Sequence, residues 1–487
     1  MFINAHGFMR SLARKCAAPA KMFILWALLC TAASLATLNS CGGGTSSTNP
    51  PPPPASKIQH VVIIFQENRT TDNLFQDPVL IQRGADIQSY GINLQGAQVP
   101  LDPESLQTDY DLSHAHSAFL NLYDNGKMDG VEKVEIQCNK NAQNCPPPNP
   151  WFKSVTPADV APYFQLAETY TFGDRMFQTN QGPSFPAHQF MLAGTSAPSV
   201  GSNLFASENP IIGPDPFNNT GCFAPPEERV NLIDPNGDQS QLIYPCFDHP
   251  TLTDLLNAGN ISWRWYAAVP GIIWNAPNAI EHMCVPNVPP PNATACTGSD
   301  WINHVVLTYT QVLTDIQSGQ LAAVNWVTPS GQVSDHPGVN NGSGPSWVAS
   351  VVNAIGNSPY WANTAIIITW DDWGGWYDHV APRIINSYEY GARVPLIVVS
   401  PYAKPAYISH QVNDFGSVLK FIEKTFSLTT VAPGATPAYA DATNFTGDLS
   451  DCFDFNQTPL TFQTIAAPLD AKHFLEDKTP PTDPDDD

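Results

Sequence analysis

The sequence predicts an α/β protein: a mostly parallel central sheet sandwiched by helices, with a loop-rich insertion held by disulfides. Two observations carry this. Short, almost continuously apolar, β-branched runs at residues 58–65, 322–327, 365–370 and 394–399 read as central parallel strands buried on both faces. They alternate with helix signals at 157–168, 251–258, 346–355 and 415–426, and such alternation is the signature of a layered α/β domain. Between residues 200 and 300 the pattern gives way to Pro, Asn and Cys, which marks the insertion, expected to lie over one end of the sheet and to be held by disulfides rather than by a core.

Each element has a local reason. In the first strand, Ile58-Gln59-His60-Val61-Val62-Ile63-Ile64-Phe65 ends abruptly in the polar run Gln66-Glu67-Asn68-Arg69. The first helix has Thr156 as its expected N-cap, and the last follows Asp414, whose carboxylate is placed to cap free amides. The strand at 365–370 is followed by Asp371-Asp372-Trp373-Gly374-Gly375-Trp376-Tyr377-Asp378-His379, a dense set of polar groups in a chain with only 13% charged residues.

With 487 residues the chain can bury a large core, and a single catalytic domain is expected. The 47 prolines and 31 glycines imply much loop above a dry framework. A formal charge of −23 argues against nucleic acid as a partner, but a bound divalent cation can reverse the local field and admit an anionic substrate.

The N-terminus reads as an export signal over residues 1–40. Arg10, Arg14, Lys15 and Lys21 precede an apolar stretch from Met22 to Leu38, and Leu38-Asn39-Ser40-Cys41 has the form of a lipobox. An ordinary cleaved signal or an uncleaved anchor is the alternative. Residues 41–56, Gly-, Ser- and Pro-rich, would tether the folded domain of 57–470 to a membrane through Cys41, with no other membrane contact. Residues 471–487 read as an acidic, disordered tail. The protein is therefore expected to be exported, as a periplasmic or outer-membrane-anchored lipoprotein or a secreted one. Cysteine spacing agrees: it suggests local pairs Cys138 with Cys145, Cys222 with Cys246 and Cys284 with Cys296, leaving Cys452 as the odd thiol.

Polar residues just past the C-terminal ends of such strands line the ligand crevice. Glu67, Asn68, Asp371 and Asp372 offer hard oxygen donors there and together suit a divalent cation, whereas either pair alone would be read as a capped turn. Ser184, in Gln181-Gly182-Pro183-Ser184-Phe185-Pro186-Ala187-His188, opens a helix whose free amides and dipole favour an anion. Histidines at 114, 116, 336 and 379 stand in contexts suited to proton transfer.

Together these stretches resemble the bacterial phosphoesterase family of non-haemolytic phospholipases C and respiratory-burst-inhibiting acid phosphatases. Glu67-Asn68-Arg69-Thr70-Thr71-Asp72 looks like its opening motif, and Asp111-Leu112-Ser113-His114 followed by Asn125-Gly126-Lys127-Met128-Asp129-Gly130 like its second. The Ser184 turn, Ser334-Asp335-His336-Pro337, the stretch from Asp371 to Val380, and Gly391-Ala392-Arg393-Val394-Pro395 follow in family order across residues 58 to 428. The resemblance implies an alkaline-phosphatase-like fold, a phosphoesterase domain over 57–470, and one or more divalent metal ions of open identity. It implies metal binding by Glu67, Asn68, Ser184, Asp371 and Asp372, with Ser184 attacking phosphorus to give a phosphoryl-enzyme. His114, His336 and His379 would contact phosphate oxygens or protonate the leaving group; the Asp-x-x-His spacing selects His114 over His116. Asp372 stands where many members have Glu, and Thr70-Thr71 where they have Ser-Phe.

The leaving group stays open between a phospholipid head group and a small phosphomonoester. Trp263, Arg264, Trp265, Tyr266 and Trp274 are either strand packing or a cage for a choline ammonium. Asp378 either orients His379 or caps the turn. A sulfatase-like hydrolase and a non-catalytic surface lipoprotein are the alternatives. The first is weakened because His188 stands where a sulfatase would place Arg, the second because every donor the chemistry needs is present.

Overall fold

Among the residues that the computed structural model describes, 57–211 and 220–482, an eight-stranded sheet forms the centre of the molecule. The expected signal, the tether and Cys41 lie outside the described residues. The strands are β1 (His60–Gln66), β2 (Thr171–Phe177), β3 (Trp263–Tyr266), β4 (Val305–Val306), β5 (Val324–Val327), β6 (Thr364–Trp370), β7 (Arg393–Val399) and β8 (Tyr407–Ser409). Their spatial order is β4-β3-β5-β1-β6-β7-β2-β8. All run parallel except β7, which is antiparallel to both its neighbours. The sequence reading of 394–399 as a parallel strand is thus corrected in direction. No helix intervenes between β6 and β7, so the chain returns through a loop and enters β7 from the same edge. A strand buried on both faces carries the same apolar run whichever way it points.

The helices that cover the sheet are α1 (Ala161–Thr169), α2 (Ser184–Ala193), α3 (Leu252–Ala258), α4 (Gln311–Gln317), α5 (Gly344–Gly356), α6 (Phe415–Phe426) and α7 (Ala471–Glu476). One group gathers on α5, which packs against α1, α4 and α7; the other on α2, which packs against α3 and α6. The register of β1 and β6 places these groups on opposite faces. Phe65 pairs with Thr369, so Trp370 points to the face opposite Phe65. Phe65 meets His188 of α2, while Trp370 meets Tyr163 of α1.

Of the two caps expected from the sequence, Asp414 forms and Thr156 does not. Asp414 accepts from the Ser417 amide at 3.0 Å, and Thr251 forms a capping box with Asp254 at the start of α3. Thr156 does not cap α1, which begins only at Ala161; its hydroxyl donates instead to the Glu104 carbonyl at 2.9 Å.

The insertion is more than disulfide-held loop. It contributes β3 to the main sheet, and Ile272, Trp274 and Ile280 are buried in the main core. Cys138–Cys145, Cys222–Cys246 and Cys284–Cys296 are disulfides, and Cys452 is a buried free thiol. The tail is also ordered where it is described. Phe474 of α7 is buried against Trp347 with ring centroids 5.4 Å apart, and the Thr482 carbonyl accepts from the Gly331 amide at 3.1 Å. An acidic composition did not predict this, because one buried aromatic contact and one backbone hydrogen bond anchor the segment. No described helix is long and apolar enough to cross a membrane.

Candidate active site

The site begins as a consequence of strand register. Gln66 of β1 lies beside Trp370 of β6, so Glu67-Asn68 and Asp371-Asp372 leave the sheet side by side. The backbone pairing continues past the strands: the Asp371 amide donates to the Gln66 carbonyl at 3.0 Å, and the Arg69 amide to the Asp372 carbonyl at 3.0 Å. Asn68 holds a left-handed φ of 61°, which asparagine tolerates better than most residues. Gly374 lets the return turn pass over it, for a Cβ there would stand 2.2 Å from the Asn68 carbonyl oxygen.

Ser184 enters as the first residue of α2. Its turn is pinned from within, since the Gln178 and Asn180 amides donate to the Gly182 carbonyl at 2.9 and 2.8 Å. The Ser184 hydroxyl then reaches Asp372 Oδ2 at 3.1 Å and Asn68 Oδ1 at 3.5 Å. Asp371 Oδ1 accepts from the Asn68 amide at 3.1 Å and the Asp372 amide at 2.7 Å.

His114 stands over this group. Its Nε2 lies 3.1 Å from Asn68 Nδ2, a donor, and its Nδ1 lies 3.1 Å from the Leu112 carbonyl, an acceptor. These partners fix the neutral tautomer with the proton on Nδ1. His336 packs edge-on to His114, with centroids 5.9 Å apart, and its Nδ1 donates to the Pro337 carbonyl at 2.7 Å. His116 turns to the outer wall, where Nδ1 meets the Gln181 carbonyl at 3.1 Å. There it lines a surface cavity of about 640 Å³ with Gln181, Gln239 and Asn386. His114, which the Asp-x-x-His spacing selects, is thus the one of the two that touches Asn68.

His379 is a correction. Its Nδ1 lies 2.6 Å from Asp72 Oδ2 and its Nε2 3.0 Å from Asp86 Oδ1, so carboxylates occupy both ring nitrogens. The same knot holds buried Arg393, which donates to Asp378 at 3.0 Å and to Asp72 at 2.9 Å. Asp378 pairs with Arg393 and accepts from the Val380 amide at 2.9 Å, capping the turn. The histidine of the turn after Gly375 is thus held by Asp72 and Asp86.

One residue was missed. His188, one turn along α2 from Ser184, places Nε2 3.4 Å from Glu67 Oε1 and 3.8 Å from Asp371 Oδ2. The Ser-x-x-x-His spacing was the available signal, because i and i+4 share a helix face.

Glu67, Asn68, Asp371, Asp372, Ser184, His114, His188 and His336 are all at most 2% exposed. Burial, then the neighbouring Asp371, pushes the Glu67 carboxyl well above the usual range, and Asp372 moves the same way for the same reasons. Both Glu67 oxygens, Asp371 Oδ2 and both His188 nitrogens are buried without a hydrogen-bond partner. Oxygen and imidazole donors left bare around a repelling carboxylate cluster fit a divalent cation.

Fold and site together define an α/β protein whose serine, carboxylates and histidines converge at the C-terminal ends of neighbouring parallel strands. The chain belongs to the phosphoesterase family, whose model matches residues 58–429. It is 24% identical over 452 residues to the hemolytic phospholipase C of Pseudomonas aeruginosa, covering 82% of this chain and 56% of that one. To the non-hemolytic phospholipase C of Burkholderia pseudomallei it is 25% identical over 450 residues, covering 82% and 59%. The chain thus spans little more than half the length of these relatives. A solved structure of a protein in the alkaline phosphatase superfamily from Vibrio parahaemolyticus is similar at 9% identity and a TM-score of 0.35, covering 81% of this chain and 70% of that one.

Proposed function

We propose that the protein is an exported, metal-dependent phosphate ester hydrolase of the phospholipase C or acid phosphatase type, with Ser184 as nucleophile. The observation that carries this reading is the 3.1 Å contact from the Ser184 hydroxyl to Asp372, beside partnerless donors on Glu67 and Asp371. Glu67, Asn68, Asp371 and Asp372 would hold the cation, with Ser184 beside them. When bound, it would supply positive charge that favours the ionised serine and offsets that of the phosphate.

The residues divide the remaining work. Asp372 takes the hydroxyl proton as the bond from Ser184 Oγ to phosphorus forms and the ester P–O bond breaks. A protonated His336 gives its proton to the departing alkoxide, while neutral His114 faces the phosphate oxygens. Water then attacks the phosphoserine, its proton restores the histidine, and Asp372 returns its proton to Ser184 as phosphate leaves.

The relatives' names support a phospholipid head group as substrate, and a phosphomonoester fits the same chemistry. Three disulfides in the described residues support an oxidising destination, with an anchor at Cys41 part of the same reading.

The test is a panel of p-nitrophenyl phosphate, p-nitrophenyl phosphorylcholine and p-nitrophenyl sulfate, each with Mn, Ca, Mg or Zn added. Turnover of a phosphate ester that stops on chelation is expected. Hydrolysis of neither phosphate with any metal would overturn the reading.

A further inference from the structure

Resting on the metal-dependent reading above, we propose that His188 is a nitrogen ligand of the bound cation. It turns an all-oxygen site into a mixed one that takes zinc, iron or cobalt in preference to calcium or magnesium.

A buried histidine ordinarily satisfies its ring through hydrogen bonds, and His188 does not. It is 0% exposed, and neither ring nitrogen has a hydrogen-bond partner. Its surroundings explain why no other polar group serves it. Phe65 meets the ring edge-on at 5.6 Å, and Trp274 stacks over it at 6.5 Å. The ring is thus oriented by packing, where a metal-binding histidine is more often oriented by a hydrogen bond from its second nitrogen.

Nε2 faces Glu67 Oε1 at 3.4 Å and Asp371 Oδ2 at 3.8 Å. Both separations exceed a charge-assisted hydrogen bond, so neither carboxylate accepts one from the ring. Ligand atoms of Glu67, His188 and Asp371 all lie within 4.8 Å of one another, a span that donors to one shared ion occupy. Asp371 divides its oxygens accordingly: Oδ1 accepts from the two backbone amides, and Oδ2 is left facing the imidazole.

The placement follows from the fold. Ser184 opens α2 and His188 lies one turn along the same face, so a single helix delivers the nucleophile and the nitrogen donor to adjacent strand ends. Imidazole suits zinc and the later first-row metals, whereas calcium and magnesium take oxygen ligands.

The test is calorimetric titration of chelator-stripped full-length protein with Zn, Mn, Co, Ca and Mg, comparing wild type with His188→Gln. The variant is expected to lose at least about tenfold in affinity for zinc and cobalt, and to change calcium and magnesium binding little. The visible spectrum of the cobalt-loaded protein should shift in His188→Gln and persist in His114→Gln. An unchanged cobalt spectrum and zinc affinity in His188→Gln would overturn the proposal, even with metal-dependent turnover intact. Absence of any metal binding by wild type would overturn both this inference and the reading beneath it. Should the glutamine variant not fold, nitrogen hyperfine coupling in copper-loaded wild type and His114→Gln decides: its absence from either overturns the proposal.

Discussion

The Ser184 hydroxyl donates to the Asp372 carboxylate across 3.1 Å, joining the start of a helix to the end of a strand 188 residues away in sequence. Removing the hydroxyl would delete the proposed nucleophile and leave the packing. Ser184→Ala is expected to lower kcat by at least about 10³-fold with an unchanged circular dichroism spectrum. Asp372→Asn should also lower kcat, because an amide cannot take the serine proton. Full turnover by Ser184→Ala in the p-nitrophenyl assays would remove the serine from the mechanism.

Arg393 is 0% exposed and is shared between Asp378 and Asp72. Truncating it strands two buried carboxylates, and a half-broken buried ion pair costs about 3–5 kcal/mol. Arg393→Met is expected to show that loss in urea denaturation, whereas a change below 1 kcal/mol would mean the knot holds little.

His379 feels burial, which lowers its pKa, but the hydrogen bond and charge of Asp72 outweigh this, and the net direction is upward. A folded pKa raised above the unfolded value gives stability that is fully present below the unfolded pKa of about 6.5 and lost as pH rises through the folded value. Urea midpoints should therefore decline as pH is raised from 6 past the elevated pKa. His379→Gln should flatten that part of the profile and retain a measurable kcat, since the ring serves Asp72 and Asp86 rather than the substrate.

Gly374 has φ of 60°, and a Cβ at this position would approach the Asn68 carbonyl to 2.2 Å. Gly374→Ala must push Asn68 away from Ser184 and His114. A stability loss of about 1–3 kcal/mol for the backbone alone, together with weaker metal binding, is expected from denaturation and titration.

The Cys222–Cys246 disulfide closes a separation of 24 residues beside the segment that carries Trp274. The Thr220 amide donates to the Gly271 carbonyl at 2.9 Å, which couples the two. Cys222→Ser with Cys246→Ser should cost about 2–4 kcal/mol and raise KM, because Trp274 stacks on His188. Stability and KM equal to wild type would show that core packing alone holds the insertion.

What the sequence made legible follows from locality. Glu67-Asn68 and Asp371-Asp372 stood out because each ends an unbroken apolar run, and β1 and β6 fall within two residues of the expected spans. β2 did not stand out, because Asp174 and Arg175 interrupt its apolar pattern. Their charges are met by remote partners: Asp174 accepts from the Asp86 amide at 2.8 Å, and Arg175 pairs with the Asp86 carboxylate. His379 was misplaced for a similar reason, since nothing nearby in sequence announces that Asp72 and Asp86 will claim it. His188 was in plain view four residues after Ser184, yet its meaning depended on α2 beginning at the serine.

The alignment of Gln66 with Trp370 turns the donor set into a phased code. Deleting one residue from β6 would bring Asp372 level with Glu67, deleting one from β1 would bring Asn68 level with Asp371, and either would reverse which side chains face which layer of helices. The intervening chain is free to lengthen, because no donor is positioned by its distance in sequence from the other strand. Insertions over the site are thus compatible with the chemistry, and a one-residue shift within a seven-residue strand is not.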